Sequence, residues 1–282
     1  ARVVWAITVL APASLVAVSY FFIDRYSTVL SLAFDVAVLY FTLGFRQFSH
    51  HFTGIRDALE DGQEDAARER LAHWQQVDAG MLPRSEIVRH VIEYSVISAH
   101  RHVFGVLAWF SILAALGLGP TGAVLYRMAE FVSRYWHHRH QPAAPQASEA
   151  LQTASAKAWW LIDWLPARLT ALSFAVVGSF EEAIEGWRFH AQRFPNDNDG
   201  VVLAATAGAI NVRLGGEALK ARSEPTAVQH GLEMDAELGD SDSTPGVAPE
   251  VGHLRSVVGL VWRSVVVWML LLALLTLARL LG

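Results

Sequence analysis

Apolar residues along this 282-residue chain come in blocks rather than in alternation, and the blocks lay out an architecture of spans and polar intervals. Val3 to Ile23 carries no charge and is long enough to cross about 30 Å of hydrocarbon at about 1.5 Å per residue. It does not read as a cleaved signal, because no small-residue cleavage site follows. Asp24-Arg25-Tyr26-Ser27 forms a polar turn, and a second span from Thr28 to Phe45 contains a single acid, Asp35. From Arg46 to His102 the composition turns polar. Two short amphipathic helices are predicted there, separated by Gly62, with a Glu64–Arg68 pair supporting the second. A third helix starts near Pro83-Arg84-Ser85 and grows more apolar toward Phe104.

Phe104 to Leu116 is apolar but too short to span by itself. Gly117-Leu118-Gly119-Pro120-Thr121-Gly122 follows, and then AVLYRMAEFVSRYW. A broken pair of half-helices fits this pattern, as one interrupted span or as a re-entrant hairpin. The longest interrupted block runs from Ala156 through AKAWWLIDWLPARLT to Phe180. It holds an acid, Asp163, a proline, Pro166, and a base, Arg168. Charges at bilayer depth are costly, and proline frees a carbonyl that something must satisfy. Two readings stand: a Pro166 kink that brings Asp163 and Arg168 together in a polar site facing Asn198 and Arg213, or an interfacial helix end from which Arg168 snorkels.

Glu181 to Phe194 reads as an interfacial amphipathic helix with Trp187 and Phe189 on its apolar side. The turn Pro195-Asn196-Asp197-Asn198-Asp199-Gly200 follows, which reads as an ordinary Asn/Asp turn before a helix or as an anion site, with Asn198 the expected cap and the N–H groups there suited to an anion. VVLAATAGAINVRLGG is rich in small residues that permit close packing. Residues 217–250 read as a flexible acidic loop, and Val257 to Leu281 is the last span.

Composition narrows the chemistry. Ten tryptophans, several near block ends, suit an aromatic belt. Cysteine is absent, which excludes disulfides and thiolate metal clusters, and a net charge of −5 argues against nucleic acid as a partner. His50-His51 and His137, His138 and His140 have no carboxylate or cysteine in register, so they read as an interfacial cluster rather than a metal site. Neither a phosphate-binding glycine loop nor a nucleophile-elbow motif is present. Arginines between 46 and 102 place that lobe in the cytoplasm by the positive-inside rule. The chain opens directly on an apolar run, which leaves two readings, a leading segment removed or one never included.

WLPARLT (Trp164 to Thr170), the stretch from Pro195 through Asn198-Asp199-Gly200 to Val212-Arg213-Leu214-Gly215-Gly216, and the pairs Ile92-Glu93 and Tyr126-Arg127 together resemble the CobD/CbiB family. The resemblance implies an inner-membrane protein that joins aminopropanol to cobyric acid through an amide bond, with nucleotide consumption, in cobalamin synthesis. Departures accompany it. Ile97, Ser98 and Arg101 stand where the family carries a Glu-Asn pair and an aspartate. Glu130-Phe131-Val132-Ser133 replaces an Asn-Thr-Leu-Asp run, and Trp159 and Trp160 replace paired aspartates. The family's opening His-Pro segment is missing from this chain. Asp163-Trp164 before Pro166 is closer to the AmpE-like branch, described as membrane modulators of β-lactamase induction.

The sequence therefore predicts an all-α polytopic bundle of four to five spans with broken helices and an extramembrane helical lobe. Its expected divisions are 1–45 (two spans), 46–102 (lobe), 103–216 (membrane core), 217–250 (loop) and 251–282 (last span). The leading expectation is a bacterial inner-membrane, AmpE-like, non-synthase sensor or modulator. Its anionic ligand is expected at Asp163, Arg168, Asn198, Arg213, Glu93 and Arg127, with the bilayer and a membrane protein as further partners. The amide-forming synthase and a structural subunit of a membrane complex are the alternatives. No catalytic residue, metal or cofactor is assigned.

Overall fold

The structure, a computed structural model, describes residues 1–75, 77–137, 148–216 and 243–281. The side chains of His50 and His137, all of His138 and His140, and the greater part of the acidic 217–250 segment lie outside the described residues. In chain order the helices are α1 (Arg2–Tyr26), α2 (Thr28–Thr42), α3 (Phe45–Glu60), α4 (Glu64–Gln75), α5 (Arg84–Ala99), α6 (Gly105–Ala115), α7 (Thr121–His137), α8 (Glu149–Val177), α9 (Phe180–His190), α10 (Asp197–Ile210) and α11 (Val251–Leu281). Four helical stretches are long and apolar enough to cross a membrane: Arg2–Tyr26, Arg84–Ala115, Glu149–Val177 and Val251–Ala278, with Thr28–Thr42 a shorter apolar helix. This is the all-α polytopic arrangement that the hydropathy blocks predict.

Local chemistry sets the boundaries. Ser27, in extended backbone, ends α1 by donating its N–H to the Ile23 carbonyl and begins α2 by accepting from the Leu30 N–H. Asp24 in the same turn accepts from Ser31 Oγ at 2.7 Å. The break between α6 and α7 is real. Gly117 and Gly119 adopt φ of +80° and +56°, and a Cβ on Gly119 would collide with the ring of Tyr20. The apolar stretch before that break is longer than its composition suggests. A π turn over His100–Phe104 joins α5 to α6 in one 32-residue helix, so Phe104 to Leu116 is the end of a long element rather than a short one.

Pro166 lies inside α8 without breaking it. Proline removes the donor that would have bonded the carbonyl four residues earlier, that of Ile162. The indole N–H of Trp109 on α6 donates to that carbonyl at 2.9 Å. A side chain from another helix thus supplies what the proline takes away.

The chain forms two compact units: Ala1–Gly44, Ala99–Thr170 and Val265–Gly282 in one, Phe45–Ser98 and Ala171–Ser264 in the other. In the first, α1 packs on α2 and α7, and α6 packs on α7. Val9, Val106, Phe110, Ala123, Tyr126, Ala129, Val132 and Trp159 form its core. In the second, α3 packs on α4 across Gly62 (φ +74°), and Arg70 of α4 donates to the Gly54 carbonyl. Helices α9 and α10 meet at Gly186 and Gly208, where the carbonyls of Ala204 and Glu182 occupy the space a Cβ would need, and Gly200 packs likewise on the Ala191 carbonyl just past α9. The close packing expected of the small residues is present. Phe189 is exposed, and the small face of α9, with Ala183 and Gly186, is the buried one. After α10, Val212 bridges to Val247 and Gly215 to Ser243.

Candidate functional site

The first unit encloses a polar cluster centred on Asp163. The π turn inserts one extra residue per turn, a distortion frequent at functional positions, and here it carries His100 with its ring between two partners. Nε2 lies 2.9 Å from Asp163 Oδ1, and Nδ1 lies 2.9 Å from Thr170 Oγ1. Tyr126 of α7 donates its hydroxyl to the same Asp163 oxygen at 2.7 Å. Gly105 makes room for Tyr126, since a Cβ there would overlap the ring and hydroxyl. His100, Asp163, Tyr126 and Thr170 are all at or below 1 % exposure. The Asp163–His100–Thr170 chain has the order of an acid–base–hydroxyl relay, but at this burial no substrate atom reaches Thr170. The cluster holds helices together and fixes what surrounds it.

What surrounds it is cationic. Arg101, next to His100, bears electrostatically on Asp163 and Tyr126. Arg127 Nη1 lies 2.6 Å from His102 Nδ1 and donates to Glu130 Oε2 at 3.1 Å. Arginine only donates, so His102 Nδ1 accepts and its hydrogen sits on Nε2. The His102 carbonyl accepts from the Gly44 N–H. Arg134 approaches the other Glu130 oxygen at 3.5 Å. Glu130 is buried, while the Arg127 and Arg134 side chains keep 26 % and 49 % of their surface exposed. A buried acid therefore orients two reachable guanidiniums, a chemistry suited to phosphate or carboxylate groups.

In the second unit Glu93 is held twice. Arg89, itself buried, reaches it at 3.0 Å while also pairing with Glu86 at 2.5 Å. The Gly215 N–H donates to Glu93 Oε1 at 2.7 Å. The Ile-Glu step and the Arg-Leu-Gly-Gly segment, 122 positions apart, meet at that bond. Arg213 donates its own N–H to the Val247 carbonyl. Asn198 is buried in the first turn of α10, but the cap is Asn196, whose side chain accepts from the Asn198 N–H at 3.2 Å. Asn196 has the extended backbone a cap needs, and Asn198 is already helical.

The six residues singled out by sequence thus divide. Asp163, Arg168 and Arg127 belong to the first unit, Glu93, Asn198 and Arg213 to the second. The expected Asp163–Arg168 pair is not formed. Positions five apart on an unbroken helix face different ways, and Arg168 lies over the Trp164 ring at 4.2 Å with Nη1 on the Trp164 carbonyl. The sequence missed His100, because a histidine in a polar-looking stretch gives no sign that a π turn will bury it. Tyr126 stood in the motif pair Tyr126-Arg127 and could have been found there. Several of the departure positions converge on the same place: Trp159 packs against Tyr126 at 5.1 Å between ring centroids, and Arg101 and Glu130 lie around Asp163 and Arg127.

A family model described as CobD/Cbib protein matches residues 1–240. The chain belongs to the CobD/CbiB family. Among the relatives of this CobD/CbiB protein is "Cobalamin biosynthesis protein CobD" of Stutzerimonas stutzeri (strain A1501). It is 31 % identical over 239 residues, covering 84 % of this chain and 71 % of the relative. The protein of the same name from Chromobacterium violaceum is 33 % identical over 189 residues, 67 % of this chain and 57 % of its own length. That of Mycobacterium tuberculosis (strain H37Rv) is 40 % identical over 106 residues, 35 % of this chain and 30 % of its own length. No solved structure matches.

Proposed function

We propose that this CobD/CbiB protein works in cobalamin biosynthesis at a bacterial inner membrane, at the step that joins cobyric acid to aminopropanol or its phosphate through an amide bond. The observation that carries the reading is the set of relatives named cobalamin biosynthesis protein CobD, at 31 % and 33 % identity over most of this chain. Their name favours the synthase over the AmpE-like modulator. The geometry supports it through Arg127 and Arg134, two reachable guanidiniums braced by buried Glu130, which suit the carboxylate of cobyric acid or the phosphate of aminopropanol phosphate. Ser133 and Trp159 stand where the resemblance implies acids. Glu130 and Asp163 each lie about one helical turn away, so carboxylates remain in the cluster.

The test is complementation of a strain lacking the synthase, followed by assay of the membrane fraction for cobinamide phosphate. Restored growth is expected, with loss on Arg127→Ala. No growth despite protein in the membrane would overturn the synthase reading and put the modulator in its place.

A further inference from the structure

The π turn His100–Phe104 carries two histidines that serve different helices. Positions two apart do not share a helix face, so His100 turns to Asp163 on α8 while His102 turns to Arg127 on α7. Arg127 Nη1 donates to His102 Nδ1 at 2.6 Å and to Glu130 Oε2 at 3.1 Å. Nε and Nη2 of the same guanidinium make no hydrogen bond among the described residues. Glu130 lies one turn along α7 itself and, alone, would let the guanidinium swing about a single anchor. His102 comes from another helix, is half-buried, and has its carbonyl held by the Gly44 N–H. A Cβ built on Gly44 would lie 3.4 Å from His102 Cγ and 3.5 Å from Arg127 Nη2, so the end of α2 borders both side chains. Two acceptors on one nitrogen fix the plane of the group and leave its other donors unspent.

We infer that His102 is a positioning residue for anion binding: its neutral imidazole, anchored on the π turn, holds the Arg127 guanidinium in the orientation that receives an anionic group. Arginine only donates, so the imidazole that faces it accepts and carries no charge there. That neutrality matters. Glu130 already accepts from Arg127, and a second carboxylate in place of the imidazole would compete with an incoming anion for the same cation. A neutral acceptor adds orientation without adding negative charge. The inference rests on the proposed reaction for the identity of the anion, while the binding of a simple anion is independent of it.

The full-length protein in detergent is titrated calorimetrically with sodium sulfate, with Arg127→Ala as the blank. The unsubstituted protein is expected to bind sulfate where Arg127→Ala does not. His102→Leu should weaken binding about tenfold or more, the order expected for a lost hydrogen bond to a charged donor. His102→Asn should restore most of the affinity, because its Oδ1 replaces Nδ1 as a neutral acceptor. His102→Asp, of nearly the same size, should bind as poorly as His102→Leu. A residue that only filled space would make Asn and Asp behave alike, and that result overturns the inference. Undiminished affinity in folded His102→Leu overturns it too, as does a lack of sulfate binding by the unsubstituted protein. If His102→Leu fails to fold, the contrast between Asn and Asp decides. In an assay of amide formation, His102→Leu should raise KM for the substrate that bears the anion and leave kcat nearly unchanged. Sulfate binding in this order without synthase activity would keep the inference and remove the synthase reading. Synthase activity whose KM ignores His102 would do the reverse.

Discussion

At the scale of single residues, the Asp163 carboxylate is matched by groups that neither charge counting nor helical spacing would nominate. One oxygen takes both a tyrosine hydroxyl and a histidine nitrogen, at 2.7 and 2.9 Å. Removing one partner of a buried charged pair commonly costs about 3–5 kcal/mol, because the other is left uncompensated. Asp163→Ala should therefore destabilise the detergent-solubilised protein by that order. In a double-mutant cycle, Asp163→Ala and His100→Ala should couple by about 1–3 kcal/mol. Asp163→Ala with Arg168→Ala should be additive within about 0.5 kcal/mol, since the two do not share a partner. Strong coupling of Asp163 to Arg168 would contradict the geometry. Asp163 itself was legible in the sequence, because an acid in a long apolar block is conspicuous. Its partners were not. His100 lies 63 positions away, and its side chain enters the bundle only because a π turn rotates it there.

At the scale of elements, α8 shows how a proline is tolerated in a long helix. The punctuation that sequence reads well is local: Gly62, Gly117 and Gly119 all take positive φ at the breaks they mark. Pro166 is the same kind of signal and gives the wrong answer, because the remedy comes from a distant side chain. Trp109 reaches the Ile162 carbonyl from α6, 53 positions earlier. An unpaired buried carbonyl costs about 1–3 kcal/mol. Trp109→Phe keeps most of the ring and loses the donor, and should lower stability by that amount. In Pro166→Ala the helix supplies its own donor, so the added effect of Trp109→Phe should shrink to about 1 kcal/mol or less. Equal losses in the two backgrounds, read from denaturation midpoints, would mean the indole does not serve this carbonyl.

At the scale of the whole molecule, the absence of cysteine makes sidedness directly measurable. By the positive-inside rule the 46–102 arginines predict a cytoplasmic lobe, and Met81, 98 % exposed, is a convenient reporter within it. Met81→Cys should react with a membrane-impermeant maleimide in inverted vesicles and not in intact spheroplasts. The opposite pattern would reverse the orientation. The all-helical class and the span pattern were legible because long apolar blocks leave few other folds. The meeting of Glu93 with Gly215 was not, since nothing in periodicity links positions 122 apart. Only the resemblance put both segments in one motif set.

The order of the Asp163 partners along the chain also bears on biogenesis. Tyr126 and His100 precede the acid by 37 and 63 positions. At about 5–20 residues per second of synthesis, both emerge from the ribosome roughly two to a dozen seconds before Asp163 does. When α8 enters the bilayer its acid meets donors already delivered, and insertion of the least lipid-compatible span becomes a docking step onto earlier ones. Transplanted alone behind a leader segment, α8 would have to carry Asp163 into lipid without that reception.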